Sequence, residues 1–340
     1  MKKIKWCVFF ALVALISFLI TSCNDVDDND NTDQDSGLYN GKITYSTDGI
    51  NWTAASHNHF TDTITNIAWG NGKFVASSNS LAGSPKIAYS TDGITWTAVT
   101  HNTFENSLIH DIAWGNGMFV AVGGLLNQSK IAYSPDGINW TEVTNTAFGN
   151  YPIFSVAWGN DKFIAIGYRN SFNKTVHSAD GKTWTLGPGS FSSTGNIETI
   201  SYGNGTWLAP EDNTIYYSTN GGTTWALAYS FFTGIDGFAW GDNKFVAVGN
   251  NGRIVYSPNG ITWTVAANTT FGSSQIYRVA WGSNRFVAVG GVGGGKAAYS
   301  ANGESWTAVT GNTFDKFNVI RDIAWGNGKF VAVGGGFDFY

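Results

Sequence analysis

Most of the side chains that could do chemistry stand at one recurring point of the sequence, the two positions ahead of each Ile-Ala-Trp-like triplet. Two carboxylates, such as those of Glu198 and Asp236, can cleave a glycosidic bond when they lie about 5–10 Å apart. A mixed set of polar, charged and aromatic groups around a concavity can equally hold an asymmetric polar ligand, such as a glycan or a peptide, without any reaction. The seven pairs are Thr65-Asn66, His110-Asp111, Phe154-Ser155, Glu198-Thr199, Asp236-Gly237, Tyr277-Arg278 and Arg321-Asp322.

The elements that must position these pairs are read from an internal repeat of about 40 residues. One half of the repeat follows the pattern Lys-Ile-Ala-Tyr-Ser-x-Asp-Gly-Ile-Thr-Trp-Thr, and its Trp recurs at Trp52, Trp96, Trp140, Trp184, Trp225, Trp263 and Trp306. The other half follows Asp-Ile-Ala-Trp-Gly-Asn-Gly-Lys-Phe-Val-Ala-Val-Gly, and its first aromatic recurs at Trp69, Trp114, Trp158, Tyr202, Trp240, Trp281 and Trp325. Each half therefore occurs seven times.

Each half-repeat is predicted to be a β-hairpin, because two short apolar runs flank Asn-Gly or Asp-Gly turn signals. Two hairpins give a four-stranded sheet, which cannot bury both of its faces alone but can do so when seven such sheets pack radially. The chain starts with a third-and-fourth-strand hairpin, Lys42 to Ala55, and ends with a first-and-second-strand hairpin, Ile320 to Val333. We therefore predict a seven-bladed all-β propeller whose N- and C-terminal hairpins share one blade.

The turns of the first half-repeat resemble the Asp-box, the bacterial neuraminidase repeat. Ser218-Thr219-Asn220-Gly221-Gly222-Thr223-Thr224-Trp225 matches that pattern at full length with Asn in the Asp place, and the other six copies are one residue shorter. The resemblance covers residues 42–340, and it implies that the boxes form scaffold turns between the third and fourth strands, on the face away from any ligand. The box positions are Asp48, Asp92, Asp136, Asp180, Asn220, Asn259 and Asn302.

The opposite face is where the repeats diverge, and divergent loops on a rigid scaffold commonly carry function. The pairs open the innermost strands, so they are expected to ring the mouth of the central channel, either as a binding site or only as solvating groups. The candidate ligand-binding residues are His110, Asp111, Glu198, Asp236, Tyr277, Arg278, Arg321 and Asp322. We predict no catalytic residue, no metal ligand and no cofactor, although His57, His59 and His101 could gather a metal if their loops converged.

The N-terminus is predicted to direct export and anchoring. Lys2, Lys3 and Lys5 precede an apolar run from Trp6 to Ile20, as in a signal peptide. The following Ile20-Thr21-Ser22-Cys23 resembles the bacterial lipoprotein signal, which implies cleavage of residues 1–22 and a lipid on Cys23. Residues 23–40 would then form a lipidated, acidic tether, and residues 41–340 the propeller. This places the protein in a bacterial envelope, at the outer membrane or cell surface.

Composition limits the partners. Only 13% of the residues are charged, and the body without its signal and tether is close to neutral, so nucleic acid is not an expected partner. The leading hypothesis is a monomeric, non-catalytic propeller that recognises a glycan, peptide or protein through its loop face. The first alternative is a sialidase-like glycoside hydrolase, since sialidases belong to the Asp-box family, although no Arg-Ile-Pro motif precedes the repeats. The second alternative is an assembly factor for a membrane complex.

Overall fold

The computed structural model describes residues 41–335, apart from 57–58, 82–84, 102, 105, 170–171, 192–196, 231–233, 268–269 and 312. The predicted signal peptide, Cys23 and the acidic tether lie outside the described residues. Among the described residues, no helix has the length and apolarity needed to cross a bilayer.

The described chain forms seven four-stranded antiparallel sheets, here called blades 1 to 7. Blade 1 contains β3 (Ile64–Gly70), β4 (Lys73–Ser78), β5 (Ile87–Ser90) and β6 (Thr97–Ala98); blade 2 contains β7 (Ile109–Gly115), β8 (Met118–Leu125), β9 (Gln128–Ser134) and β10 (Thr141–Glu142). Blade 3 contains β11 (Ile153–Gly159), β12 (Lys162–Arg169), β13 (Phe172–Ser178) and β14 (Thr185–Ser190); blade 4 contains β15 (Ser201–Gly203), β16 (Thr206–Glu211), β17 (Thr214–Ser218) and β18 (Ala226–Ser230).

The remaining blades follow the same order. Blade 5 contains β19 (Ile235–Gly241), β20 (Lys244–Gly249), β21 (Ile254–Ser257) and β22 (Thr264–Val265); blade 6 contains β23 (Ile276–Gly282), β24 (Arg285–Gly290), β25 (Lys296–Ser300) and β26 (Thr307–Ala308). Blade 7 contains β27 (Ile320–Gly326), β28 (Lys329–Gly335), β1 (Gly41–Ser46) and β2 (Thr53–Ala54). Two short 3₁₀ helices, Asn250–Gly252 and Thr313–Lys316, interrupt the connections.

The ring closes in blade 7, where strands from both ends of the described chain pair. β1 pairs with β28 over six residues, from Gly41 opposite Gly335 to Ser46 opposite Phe330. The first strands of successive blades contact one another all the way round, from β3 to β27 and back to β3. The prediction of a seven-bladed propeller with one shared closing blade is confirmed.

The first hairpin of each blade is made by a two-residue turn with positive φ angles. In blade 1, Asn71 (φ 44°) and Gly72 (φ 70°) separate β3 from β4. Positive φ at both central positions is what joins twisted strands without splaying them, and Asn and Gly reach that region at the lowest cost. The turn therefore brings the first two strands of the blade into register.

The second hairpin is closed by the box turn, as in Ser46 to Trp52 of blade 7. The Asp48 Oδ1 accepts the backbone N–H groups of Ile50 and Asn51 at 2.8 Å each, and the Ser46 Oγ accepts that of Gly49 at 2.8 Å. Gly49 takes φ 72°, and the Trp52 Nε1 donates to its carbonyl. The side-chain oxygen accepts backbone N–H groups in the same way at Asp92, Asp136, Asp180, Asn259 and Asn302, and Asn220 accepts one residue further along.

The box carboxylates are held in their ionised form by these bonds. Burial alone would raise the pKa of Asp136, but the backbone N–H groups of Asn139 and Ile138 outweigh burial and lower that pKa to about 2. The box turns and the Asn-Gly turns lie at the same end of each blade. The opposite end is left to the longer, divergent connections.

Neighbouring blades pack together through an aromatic side chain of one blade that contacts a glycine of the preceding blade. A Cβ added to Gly115 would lie 2.1 Å from the Trp158 ring of the next blade. The indole of Trp158 also contacts Phe163 of its own blade, with ring centroids 4.6 Å apart. Equivalent contacts close the whole circle, in the pairs Gly70–Trp114, Gly115–Trp158, Gly159–Tyr202, Gly203–Trp240, Gly241–Trp281, Gly282–Trp325 and Gly326–Trp69.

Candidate ligand-binding site at the channel mouth

In six of the seven blades, a β-bulge aims one side chain of the innermost strand toward the channel mouth. In six blades the register of the first two strands shifts at one residue, as between Ile109 and Asp111, so His110 has no partner of its own. Bulges re-aim side chains at the rims of closed sheets. The bulged residues are Thr65, His110, Phe154, Asp236, Tyr277 and Arg321. In blade 4 the first strand begins later, at Ser201, and Glu198 precedes it.

These residues line a cavity of about 830 Å³ at the mouth of the channel. This volume lies within the range of about 300–1,000 Å³ that small-molecule sites occupy. The cavity receives all seven first members of the sequence pairs: Thr65, His110, Phe154, Glu198, Asp236, Tyr277 and Arg321. The connections add Asp62, Thr63, Asn79, Ser80, Leu81, Leu108 and Gln275, and the start of β19 adds Ile235, none of which the sequence singled out. Their only signal in the sequence was their position in divergent loops.

The side of the cavity formed by blades 4 and 5 is acidic. The carboxylate of Asp236 accepts a hydrogen bond of 3.1 Å from the Gln275 Nε2, and Glu198 lies exposed in the neighbouring blade. Burial raises the pKa of Asp236, and the negative charge of Glu198 raises it further, against the lowering effects of Gln275, Arg278 and Arg321. Two carboxylates therefore share one end of the site.

The side formed by blades 6 and 7 carries two guanidinium groups. Arg321 lies over the Tyr277 ring, with 4.6 Å from its guanidinium carbon to the ring centroid, a cation–π geometry. The Arg278 Nη1 donates to the carbonyls of Asp236 and Tyr277, and its Nε lies 3.7 Å from the Asp322 Oδ1. Arg278 is therefore bound into the wall of the cavity.

Gly237 makes room for this arginine. A Cβ at Gly237 would lie 2.8 Å from the Tyr277 carbonyl oxygen and 3.3 Å from the Cδ of Arg278. Contacts of 2.8 Å to backbone cannot be relieved by a rotamer change. The glycine in this ring of otherwise larger side chains is therefore explained by the path of Arg278.

Blades 2 and 3 contribute an aromatic side. The His110 ring stacks on Phe154 with centroids 5.4 Å apart, and its Nδ1 donates to the Ile153 carbonyl at 2.9 Å. That hydrogen bond fixes the tautomer with a proton on Nδ1 and leaves Nε2 as an acceptor. Burial lowers the pKa of His110, so the ring is neutral at neutral pH.

Asp111 and Asp322 lie deeper, in the channel wall, and are not among the residues that line the cavity. The Asp111 Oδ2 accepts the Val156 N–H at 3.0 Å, and the Asp322 Oδ2 accepts the Ile67 N–H at 2.8 Å. Each carboxylate thus satisfies a backbone donor of the next blade. Burial raises both pKa values, that of Asp322 to about 7. The structure therefore places six of the eight candidate residues at the cavity. The other two, Asp111 and Asp322, lie in the channel wall below it.

Metal-binding groups do not assemble in the part of the chain that the structure describes, where no three His, Cys, Asp or Glu side chains come together. His59 instead donates from Nε2 to the Trp96 carbonyl, at 3.1 Å. His57, named above as a candidate ligand, lies outside the described residues.

Comparisons with known proteins support the fold. No protein-family model matches the chain, and no curated protein sequence matches it. The solved structure of YCF48 from Cyanidioschyzon merolae is similar with a TM-score of 0.58 and 14% identity, over 82% of this chain and 96% of that one. The chain is a seven-bladed β-propeller. The computationally designed Ika8 protein is similar with a TM-score of 0.56 and 14% identity, over 80% of each chain.

A structure of YCF48 bound to D1 peptide matches more weakly, with a TM-score of 0.49 and 19% identity over 64% of this chain and 72% of that one. At these identities the likeness extends to the fold alone.

Proposed function

We propose that the propeller is a non-catalytic binding module that recognises an asymmetric polar ligand at the channel mouth. The observation that carries this proposal is the cavity of about 830 Å³, into which each blade sends a different side chain, six of them from the bulged position and Glu198 of blade 4 from just before its first strand. The blades otherwise repeat one another, so this ring is where the seven copies differ most. Such a ring presents an acidic side, a basic side and an aromatic side to one ligand.

Several charged groups of the cavity are engaged with the protein itself, which favours binding over catalysis. Arg278 is committed to two backbone carbonyls, and Asp236 to the amide of Gln275. Arginine–aromatic stacks such as Arg321 on Tyr277 offer a preorganised donor surface to a ligand. A rigid set of donors and acceptors of this kind gives specificity at low entropic cost.

Substitution of residues at the channel mouth is expected to weaken ligand binding. The full-length protein, screened on glycan and peptide arrays, is expected to retain a restricted set of ligands, and Arg321→Ala is expected to weaken retention at least about tenfold, equivalent to 1.4 kcal/mol. Lys182→Ala is the matched control, since Lys182 lies in the box turn of blade 3 at the other end of the blade. Equal loss in both variants, or no retention of any ligand, would contradict the proposal.

A glycoside hydrolase is the second candidate function, and one observation favours it. Glu198 and Asp236 line the same cavity, and the raised pKa of Asp236 is the property of a carboxyl group that donates a proton to a leaving group. A fluorogenic glycosidase panel run beside the arrays decides between the two. Turnover that disappears in Asp236→Asn would identify an enzyme and replace the binding proposal.

We also propose that the chain is an Asp-box propeller of the bacterial envelope. The support is the box sequence at seven turns and the Ile20-Thr21-Ser22-Cys23 segment after an apolar run. A surface-exposed module would meet glycans or proteins outside the cell, whereas an assembly factor would meet a subunit of a membrane complex. Both roles use the same cavity.

Anchoring depends on one thiol in this proposal. Cys23→Ala is expected to move the protein from the membrane fraction to the soluble fraction of a bacterial host, and to abolish incorporation of radiolabelled palmitate. The lipid attaches to the Cys23 thiol, which alanine lacks, and no other cysteine follows the signal. Unchanged membrane association in the variant would argue against lipidation.

A further inference from the structure

The face that carries the cavity is divided into an apolar half and a polar half. Three large aliphatic side chains stand exposed on the connections between second and third strands, Leu81 in blade 1 (54% exposed), Leu126 in blade 2 (89%) and Val292 in blade 6 (66%). The other exposed large hydrophobic residues of the described chain lie on outermost strands, at Leu186, Leu227, Tyr229 and Val265. Among these residues, the first three therefore lie at the end of the blades that carries the cavity.

One of these connections contributes to the cavity lining, and the other two are hydrogen-bonded through their backbone to lining residues. Leu81 itself lines the cavity. The connection that carries Leu126 is joined to the lining residue Leu108, whose carbonyl accepts the Gly124 N–H at 3.1 Å. The connection that carries Val292 is joined to the lining residue Gln275, whose carbonyl accepts the Gly291 N–H at 2.9 Å. The aliphatic side chains thus form a rim whose position is set by the same strands that set the site.

The corresponding connections of blades 4 and 5 carry polar residues instead. Blade 4 turns through Asp212 and Asn213, and blade 5 through Asn250 and Asn251. Inside the cavity, these two blades supply Glu198 and Asp236. The polar half of the face is therefore also its acidic half.

Two arginines lie near enough to the acidic half to lower the pKa of Asp236, but both make other contacts. Arg278 lies against Asp322, 3.7 Å from Nε to Oδ1, and it donates to backbone carbonyls. Arg321 lies on the Tyr277 ring in blade 7. Two carboxylates close enough to repel each other are stabilised when a cation comes between them, and this half-buried setting strengthens the attraction relative to water.

We propose, on the basis of the binding function proposed above, that the ligand is a segment of a protein that places a lysine or arginine side chain between Glu198 and Asp236 and lays apolar side chains on Leu81, Leu126 and Val292. A peptide combines a cation and aliphatic groups within a few residues, because successive Cα atoms are about 3.8 Å apart. Sugars contact proteins through hydroxyl groups and flat ring faces, and they offer no partner for protruding leucine and valine side chains. Complementary charge sets the orientation of such a segment, and burial of the aliphatic rim supplies affinity.

The test uses immobilised decapeptides of random sequence, probed with the full-length protein in detergent. Retained peptides are expected to be enriched in lysine or arginine, with leucine, isoleucine, valine or phenylalanine a few positions away. In the double variant with Glu198→Gln and Asp236→Asn, the cationic preference is expected to fall at least about tenfold, as for loss of 1.4 kcal/mol. Asp212→Asn, which removes an exposed carboxylate from the same face, is the matched control and is expected to keep that preference.

A second pair of changes separates the two halves of the face. Leu81→Ser with Leu126→Ser is expected to remove the preference for apolar residues and to keep the preference for lysine or arginine. Retained peptides without a cationic preference, or a cationic preference that survives the double carboxylate variant, would overturn the proposal. Retention of glycans but of no peptide would overturn it too while leaving the binding function intact, and retention of neither would contradict the binding function itself.

Discussion

Gly115→Ala is expected to lower the free energy of unfolding by about 3 kcal/mol, the upper part of the range for an overpacked core. The added Cβ would lie 2.1 Å from Cγ and 2.2 Å from Cδ2 of the Trp158 indole. The ring cannot retreat, because its other side packs on Phe163 with centroids 4.6 Å apart. The methyl group therefore forces blades 2 and 3 apart. Urea denaturation followed by tryptophan fluorescence measures the effect.

A double-mutant cycle shows whether the indole is the cause. Trp158→Ala alone is expected to cost about 3 kcal/mol, the lower end for truncation of a large aromatic side chain, since the ring is partly exposed. In the Trp158→Ala background, Gly115→Ala should lower the free energy of unfolding only slightly. The effects of the two changes are therefore expected to be strongly non-additive. Gly117→Ala is the control: its φ is 72° with no atom near the added Cβ, and it should cost only the left-handed strain of about 1 kcal/mol. Additive effects at Gly115 and Trp158 would contradict the explanation.

The same glycines show how far the sequence could predict the fold. The hairpins, the blade number and the shared closing blade followed from turn signals and from the count of half-repeats. In the triplet Gly70-Asn71-Gly72, only Asn71 and Gly72 take the positive φ angles of the turn. Gly70 ends β3 and accommodates the Trp114 ring of the next blade. A contact between residues 44 positions apart leaves no local signal, so the second use of glycine could not be predicted.

The position of the residues that line the cavity could be predicted, but their detailed arrangement could be predicted only in part. Divergence among otherwise similar repeats indicated the pairs ahead of each triplet. The sequence did not show the β-bulge at the first member of these pairs. Alternation along a regular strand predicts only that the two members of a pair point to opposite faces of the sheet. As a result, Asp236 reaches the cavity, whereas Asp111 and Asp322 bond to the backbone of the next blade. The position of the aliphatic rim could not be predicted either, because the connections that contain Leu81 and Val292 do not follow the repeat pattern.

The stability contributed by Asp322 is expected to fall as the pH rises. Its pKa is raised to about 7 in the folded protein, first of all by burial, whereas the unfolded chain has the ordinary value near 4. Between these values the folded state binds the proton and the unfolded state does not, so stability decreases with pH through this window. A shift of about three units corresponds to about 4 kcal/mol. The contribution of Asp322 to the free energy of unfolding should be fully lost just above pH 7.

Other groups titrate in the same window, so the measurement must be a difference between wild type and Asp322→Asn. Burial lowers the pKa of His177 to about 4, which makes the stability of the whole protein rise with pH up to the ordinary histidine value. The box carboxylates have lowered pKa values and act only below about pH 4. These contributions cancel in the difference, since asparagine cannot ionise and mimics only the neutral acid.

The advantage of wild type over Asp322→Asn is therefore expected to shrink by about 4 kcal/mol between pH 4 and pH 7.5, as measured by urea denaturation at each pH. Asp212→Asn, at an exposed site, should give a difference that is flat with pH. A flat difference for Asp322→Asn as well would mean that the carboxylate stays ionised throughout. In that case the Ile67 and Ile323 N–H groups and Arg278 would outweigh burial, and Asp322 would act as a fixed negative charge beneath the cavity.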